Sequence, residues 1–192
     1  LMRPLILQQA VRFDDEVVTE EAQKYFADFL AGRSIDPDIR TVALYAAARH
    51  GGAAEFNAIL DRYRIEESPQ VKNSLLTTLA RFREPALVQR ALDLCISEDV
   101  RPQYIYLVIA WGFRGHHSRQ ATWEFLKQHW GLFVERYGAG GHMLEHFPLF
   151  AGSGFATHAM AKEIKTFFAE NAHPSIKRPT AQAVESVELK AD

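Results

Sequence analysis

One cysteine in 192 residues is too few for a disulfide framework or a thiolate zinc site within the chain. Cys95 lies in an apolar periodic segment, a weak sign of a reducing compartment and a cytoplasmic location. Long apolar runs are also missing. The longest, Tyr104 to Trp111, is far short of the roughly 18 residues a membrane span needs, so no membrane partner is expected. The chain opens Leu1-Met2-Arg3-Pro4 without the charged, apolar and small-residue regions of a secretory leader. Leu1 in place of Met suggests a segment excised from a longer chain, or a stray residue ahead of Met2. A formal charge of −2 excludes a phosphate-binding polycation, and with it a nucleic-acid partner.

What is present is apolar residue at helical spacing. The chain is 47% hydrophobic and 11% aromatic, enough for a sizeable core. Trp123, Leu126, Trp130, Phe133 and Tyr137 follow steps of three and four, which places them on one face of a single helix. Phe26, Phe29 and Leu30 repeat the pattern, as do Phe56, Ile59, Leu60 and Tyr63, and Met160, Ile164, Phe167 and Phe168. Asp36-Pro37, Ser68-Pro69 and Glu84-Pro85 mark helix starts, because proline at the first helical position gives up no hydrogen bond. Gly32, Gly51-Gly52 and Gly138 mark stops, each expected to close its helix in the left-handed conformation.

Superposing the segments exposes a repeat. Arg12-Phe13, Arg49-His50, Arg81-Phe82, Phe113-Arg114 and Gly154-Phe155 each end a helix that a second soon follows. Their spacing, roughly 31 to 42 residues, is that of armadillo and HEAT arrays. The expected fold is all-α, a superhelix or solenoid of five antiparallel hairpins with a closing helix from about Pro179 to Lys190. It is read as a single helical-repeat domain over residues 1–192.

His142-Met143-Leu144-Glu145-His146 fits H-x-x-E-H, which on a helix turns two histidines one way with a glutamate near a bound water. A third ligand would have to come from Glu163, Glu170 or Glu185, and Pro148 leaves barely two turns. Solvated histidines on a short helix are the competing reading. His116-His117 occupies a polar turn in which Ser118 suits a helix start. No H-E-x-x-H and no G-x-S-x-G occurs, and Gly138 to Gly141 joins helix to helix without a lysine. Arg12, Arg49, Arg81 and Arg114 recur at helix ends. Each either complements a helix dipole or faces a cavity where it takes a peptide carboxylate.

From about Leu5 onward the chain resembles the C-terminal domain of the gluzincin zinc aminopeptidases, the family of puromycin-sensitive aminopeptidase, aminopeptidase N and the antigen-trimming aminopeptidases. Val42 to Tyr45 with Arg49-His50-Gly51-Gly52, Leu60 to Tyr63, Lys72 to Leu76 with Leu79 to Phe82, and Ala91 to Leu94 carry the likeness. So do Val100 to Gln103, Thr122 to Lys127 with Trp130, Arg136-Tyr137-Gly138, and Gly154 to Thr157 with Glu163 to Phe168.

The resemblance implies a helical lid that packs on the catalytic domain of the same polypeptide, encloses a cavity and contacts the peptide substrate. Catalytic residues and metal ligands in this chain are then none. The zinc cofactor is held in a preceding domain by H-E-x-x-H with a further glutamate, and the substrate amine by G-x-M-E-N. Gly154, before Phe155, matches a position facing the pocket for the first substrate residue, and Arg81 one near the peptide's C-terminal end. A free-standing interaction scaffold is the alternative, and a metallopeptidase built on His142, Glu145 and His146 the third.

Overall fold

The computed structural model describes residues 3–140 and 142–192. Twelve α-helices and three short 3-10 turns make up the secondary structure of the described residues, with no strand among them. The helices are α1 (Arg3–Arg12), α2 (Glu16–Leu30), α3 (Pro37–His50), α4 (Ala53–Ile65), α5 (Pro69–Leu79) and α6 (Pro85–Asp93). They continue as α7 (Ile105–Arg114), α8 (Arg119–Gln128), α9 (Trp130–Tyr137), α10 (Met143–Gly154), α11 (His158–Glu170) and α12 (Lys177–Ala191). The 3-10 turns are Leu94–Ile96, Pro102–Tyr104 and Pro174–Ile176. The all-α expectation holds, and among consecutive helices the pairs α1/α2, α2/α3, α3/α4, α4/α5, α7/α8 and α10/α11 pack on each other. The chain divides into two compact units, Leu1–Ala91 and Leu92–Asp192.

The proline signals mark true starts. Asp36 caps α3 by accepting from Asp38 N–H at 2.8 Å, and Ser68 caps α5 by accepting from Val71 N–H at 3.5 Å. The glycine stops need correction. Only Gly32 is left-handed, at φ 78°, whereas Gly51 sits at −85° and Gly138 at −73°. Among the described residues the other left-handed stop is Asp14, at φ 60°. There the N–H of Asp15 donates to Ala10 O and that of Asp14 to Val11 O, the crossed pair that closes a helix through a left-handed residue.

In the first unit α3 packs on α2, α1 and α5, and α5 packs on α4 as well as α3. Val11, Ala22, Val42 and Ala46 form the inner seam, with Leu7, Val18 and Tyr45 against it. Farther along, Phe56, Ile59, Leu75, Leu76, Leu79 and Phe82 are all buried, Phe56 and Phe82 meeting edge to face at 5.2 Å.

In the second unit α10 is the central helix, packed on α7 on one side and α12 on the other. It runs on through Pro148 rather than ending there. Packing at Phe147, Ala151, Gly152 and Gly154 outweighs the loss of one hydrogen bond to Leu144 O. The single helix expected from Trp123 to Tyr137 is instead two, α8 and α9, broken at His129. All five stripe residues are nevertheless buried. The break carries Trp130 to Phe147, Phe167 and Phe168, while Trp123 meets Phe167 and Phe168 from α8.

Candidate functional site

Arg49 is a structural clamp. Its Nη2 donates to the Arg12 carbonyl at 2.6 Å, and Nε and Nη2 both reach Asp14 Oδ1, at 3.2 and 3.1 Å. One guanidinium thus satisfies an orphan carbonyl at the end of α1 and neutralises the left-handed Asp14. The helix-end reading suits Arg49, although the carbonyl belongs to the neighbouring helix. Arg114 is exposed and lies over Trp111 at 4.9 Å.

Arg81 follows α5, half-buried, with its guanidinium 4.7 Å from the centre of the Tyr45 ring on α3. Stacking of this kind fixes the plane of the guanidinium. Three more cations in this unit lie over rings: Arg62 over Phe29, Lys72 over Tyr63 and Arg90 over Phe56. The shared pattern shows that a ring under Arg81 is not by itself a mark of substrate contact.

Gly154 and Phe155 are both buried. A Cβ built on Gly154 would stand 2.9 Å from the Phe113 carbonyl oxygen and 3.2 Å from its ring, and Phe155 packs edge to face on that ring at 6.2 Å. The side-chain direction at 154 is therefore filled by α7. Lys190 of α12 donates to the Gly152 carbonyl at 2.6 Å, closing the end of α10. Partial burial, with Arg119 adding repulsion, lowers the Lys190 pKa.

The H-x-x-E-H segment is not laid out as a metal site. His142 sits at the N-cap of α10, outside the helix, so it does not share a helical face with His146. Its Nδ1 is 3.2 Å from Glu145 Oε1, and His146 stacks on Phe150. Among the described residues no three His, Cys, Asp or Glu side chains cluster to hold a metal. Glu163, named as a possible third ligand, instead accepts from Trp123 Nε1 and Lys127 Nζ, both at 2.7 Å. Ser118 heads α8 without capping it. Its hydroxyl donates back to the Gly112 carbonyl at 2.7 Å, closing α7.

Two features escaped the sequence reading. Lys127 and the Trp123 indole hold the Glu163 carboxyl below its ordinary value of 4.5 against partial burial. A carboxyl whose folded pKa is depressed contributes stability above its unfolded pKa and loses it as pH falls through the folded one. Glu163→Gln should therefore lower the unfolding midpoint at pH 7, and the gap from wild type should close as pH drops below about 4. Thermal melts across that range check it; a gap independent of pH would mean that the ion pair contributes nothing. The other feature is an apolar groove of about 680 Å³ between α11 and α12, lined by Phe168, Ala169, Ile176 and Val184 with Lys165 and Glu188 among its charged residues. Helical periodicity shows the faces but not the gap between them.

Buried Cys95 has its thiol pushed up by desolvation, with Asp93 adding to the shift, so it offers no thiolate. Tyr137, raised to about 12 by burial, donates to the Pro102 carbonyl and pins α9 in place. No helix among the described residues is long and apolar enough to cross a membrane.

Comparison with known proteins now adds what geometry alone does not. The family model described as ERAP1-like C-terminal domain matches residues 1–189. Aminopeptidase M1 of Arabidopsis thaliana is 28% identical over 201 aligned residues, covering 100% of this chain and 22% of that protein. The yeast (Saccharomyces cerevisiae) protein named Aminopeptidase 2, mitochondrial, is 31% identical over 92% of this chain and 19% of its own length. Puromycin-sensitive aminopeptidase of Caenorhabditis elegans is 25% identical, with 100% and 21% covered. The chain thus spans about a fifth of the length of these relatives. With nearly every residue matched, in the order that the sequence motifs foreshadowed, this chain belongs to the ERAP1-like C-terminal domain family.

Proposed function

We propose that this chain serves as the C-terminal accessory domain of a zinc aminopeptidase that removes N-terminal residues from peptides. The observation that carries this is the match along the whole chain to relatives named aminopeptidases, of which it covers only a fifth. Zinc belongs, on this reading, to the catalytic domain of the same polypeptide. The residues here do not fit it, since Glu145 is engaged by His142 and Glu163 by Lys127.

The domain's work is enclosure and peptide contact. A helical wall admits short or unfolded peptides, and contacts remote from the scissile bond help position the reacting end. Arg81, its plane set by Tyr45, is the residue proposed to meet the far end of the peptide. Gly154 and Phe155, filled in behind by Phe113, contribute backbone and shape near the pocket for the first residue. The domain is taken to act as one helical-repeat body in a cytoplasmic enzyme.

Two assays test the reading. The isolated chain should hydrolyse neither leucyl nor arginyl amides, with or without zinc, and should retain well under one equivalent of zinc after dialysis against a mild chelator. Stoichiometric zinc, with turnover abolished by His142→Ala, would instead establish an enzyme built on His142, Glu145 and His146. In the complete polypeptide, Arg81→Ala should raise KM for long peptides and leave dipeptide-sized reporters unchanged. An equal effect on both would leave Arg81 a helix-end residue. The scaffold alternative draws on the α11/α12 groove and predicts tight peptide binding with no catalytic partner in the reading frame.

A further inference from the structure

In the first unit, where the turn after α2 meets the start of α5, lies a pocket of about 190 Å³. Its lining includes Arg33, Ser34, Arg40, Arg62 and Glu66, with the Phe29 ring among them. Three guanidiniums against one carboxylate leave the lining with an excess of two positive charges.

The one carboxylate is already committed. Glu66 Oε2 accepts from Arg62 Nη2 at 2.7 Å, and its Oε1 accepts from the N–H groups of Glu67 and Ser68 at 3.1 and 2.9 Å. Arg33 pairs with Asp28. Arg62 lies over the Phe29 ring at 5.5 Å, which fixes its plane, and its Nε is buried without a partner. Arg40 is the residue left over. It is half-buried, yet its guanidinium has no ion pair, hydrogen bond or ring contact among the described residues. Asp36, one turn earlier, gives its Oδ1 to the Asp38 N–H instead. A charge taken partly out of water without a counter-charge costs free energy, and an anion in the pocket would remove that cost.

The volume and the charge limit which anion. A pocket of about 190 Å³ is below the roughly 300–1,000 Å³ that organic ligands occupy, so the group is compact. A phosphate group carries about −1.5 to −2 at pH 7, which matches the excess, and it offers enough oxygens for several guanidinium forks. One carboxylate would leave half of that charge uncompensated.

We propose that this pocket binds a phosphate group, with Arg40 as its main ligand and Arg62, Arg33 and the Ser34 hydroxyl around it. The site is separate from the peptide contact proposed for Arg81. Val71, which also lines the pocket, is in the first turn of α5, whereas Arg81 follows its end, roughly 15 Å away along the axis. The proposal therefore stands whether or not the chain belongs to a working aminopeptidase.

The test is calorimetric titration of this chain with sodium phosphate at pH 7 in about 0.15 M salt, where long-range attraction is largely screened. One saturable site with a Kd below about 1 mM is expected. Arg40→Gln should weaken it at least about tenfold, and Arg40→Lys by less, since lysine keeps the charge and loses the fork. Arg114→Gln, the same charge change in the other unit, should leave it unaltered. Titration with phosphoserine separates the sources: competition with phosphate assigns the site to phosphate esters, and no competition to the free ion. Should Arg40→Gln fail to fold, amide shifts of residues 33–35 in the unaltered chain decide, because bound phosphate must move them. Absence of saturation, equal losses in Arg40→Gln and Arg114→Gln, acetate bound as tightly as phosphate, or unmoved amides at 33–35 would each overturn the proposal.

Discussion

Trp130→Ala should cost about 3–5 kcal/mol of stability, the range for deleting a large aromatic from a packed core. The side chain is 4% exposed and lies between elements rather than within one. Its rings meet Phe147 of α10 at 6.3 Å, and Phe167 and Phe168 of α11 at 6.0 and 5.2 Å, all edge to face. Each such pair adds roughly 0.5–1.5 kcal/mol beyond its buried area, so truncation loses both the area and the geometry. Collapse of the site would require three helices to move together, and a cavity is the cheaper outcome. Leu5→Ala, on an exposed face, is the control and should stay within about 0.5 kcal/mol of wild type in this chain. Urea denaturation followed by circular dichroism measures both. A loss below about 1 kcal/mol for Trp130→Ala would mean that this ring is not part of the core.

Trp130 also shows how much could be read in advance. Its burial was legible, because steps of three and four survive a one-residue break in the helix; the break itself was not. Nothing in Gln128-His129-Trp130 announces a stop, which comes from the aromatic cluster that α10 and α11 present to Trp130. Pro148 is the reverse case, a strong local stop signal overridden by packing on both sides of α10. The proline starts were reliable because a capping side chain and a proline act on the same turn, with no distant partner required.

The site was legible only in outline. Motif order identified the family, and the repeat located Arg81 and Gly154 at helix ends. What surrounds them depends on contacts between helices far apart in sequence, Tyr45 under Arg81 and Phe113 behind Gly154. The H-x-x-E-H segment read as chemistry because its spacing assumes an uninterrupted helix. Helix α10 begins one residue later, which is enough to take His142 off the shared face.

That same helix is the setting for the second large effect. Gly152→Ala should destabilise the second unit by about 1–3 kcal/mol, although an isolated helix would gain nearly 1 kcal/mol from the change. A Cβ at 152 would stand 2.7 Å from the Ala183 Cα, 2.8 Å from its Cβ and 3.0 Å from its carbonyl oxygen. Two of those three atoms are backbone, so no rotamer change relieves the clash, and α12 must shift away from α10. The shift would also stretch the Lys190 contact to the Gly152 carbonyl, now 2.6 Å, which closes α10 just ahead of Gly154 and Phe155. Combining Gly152→Ala with Ala183→Gly removes only the Cβ contact, so rescue should be partial. Denaturant unfolding of the two single variants and the double variant gives the coupling directly. Full recovery in the double variant would locate the strain in the side chain alone. A neutral or stabilising Gly152→Ala would show that α10 and α12 sit farther apart than backbone contact, and that Gly152 is not what lets them close.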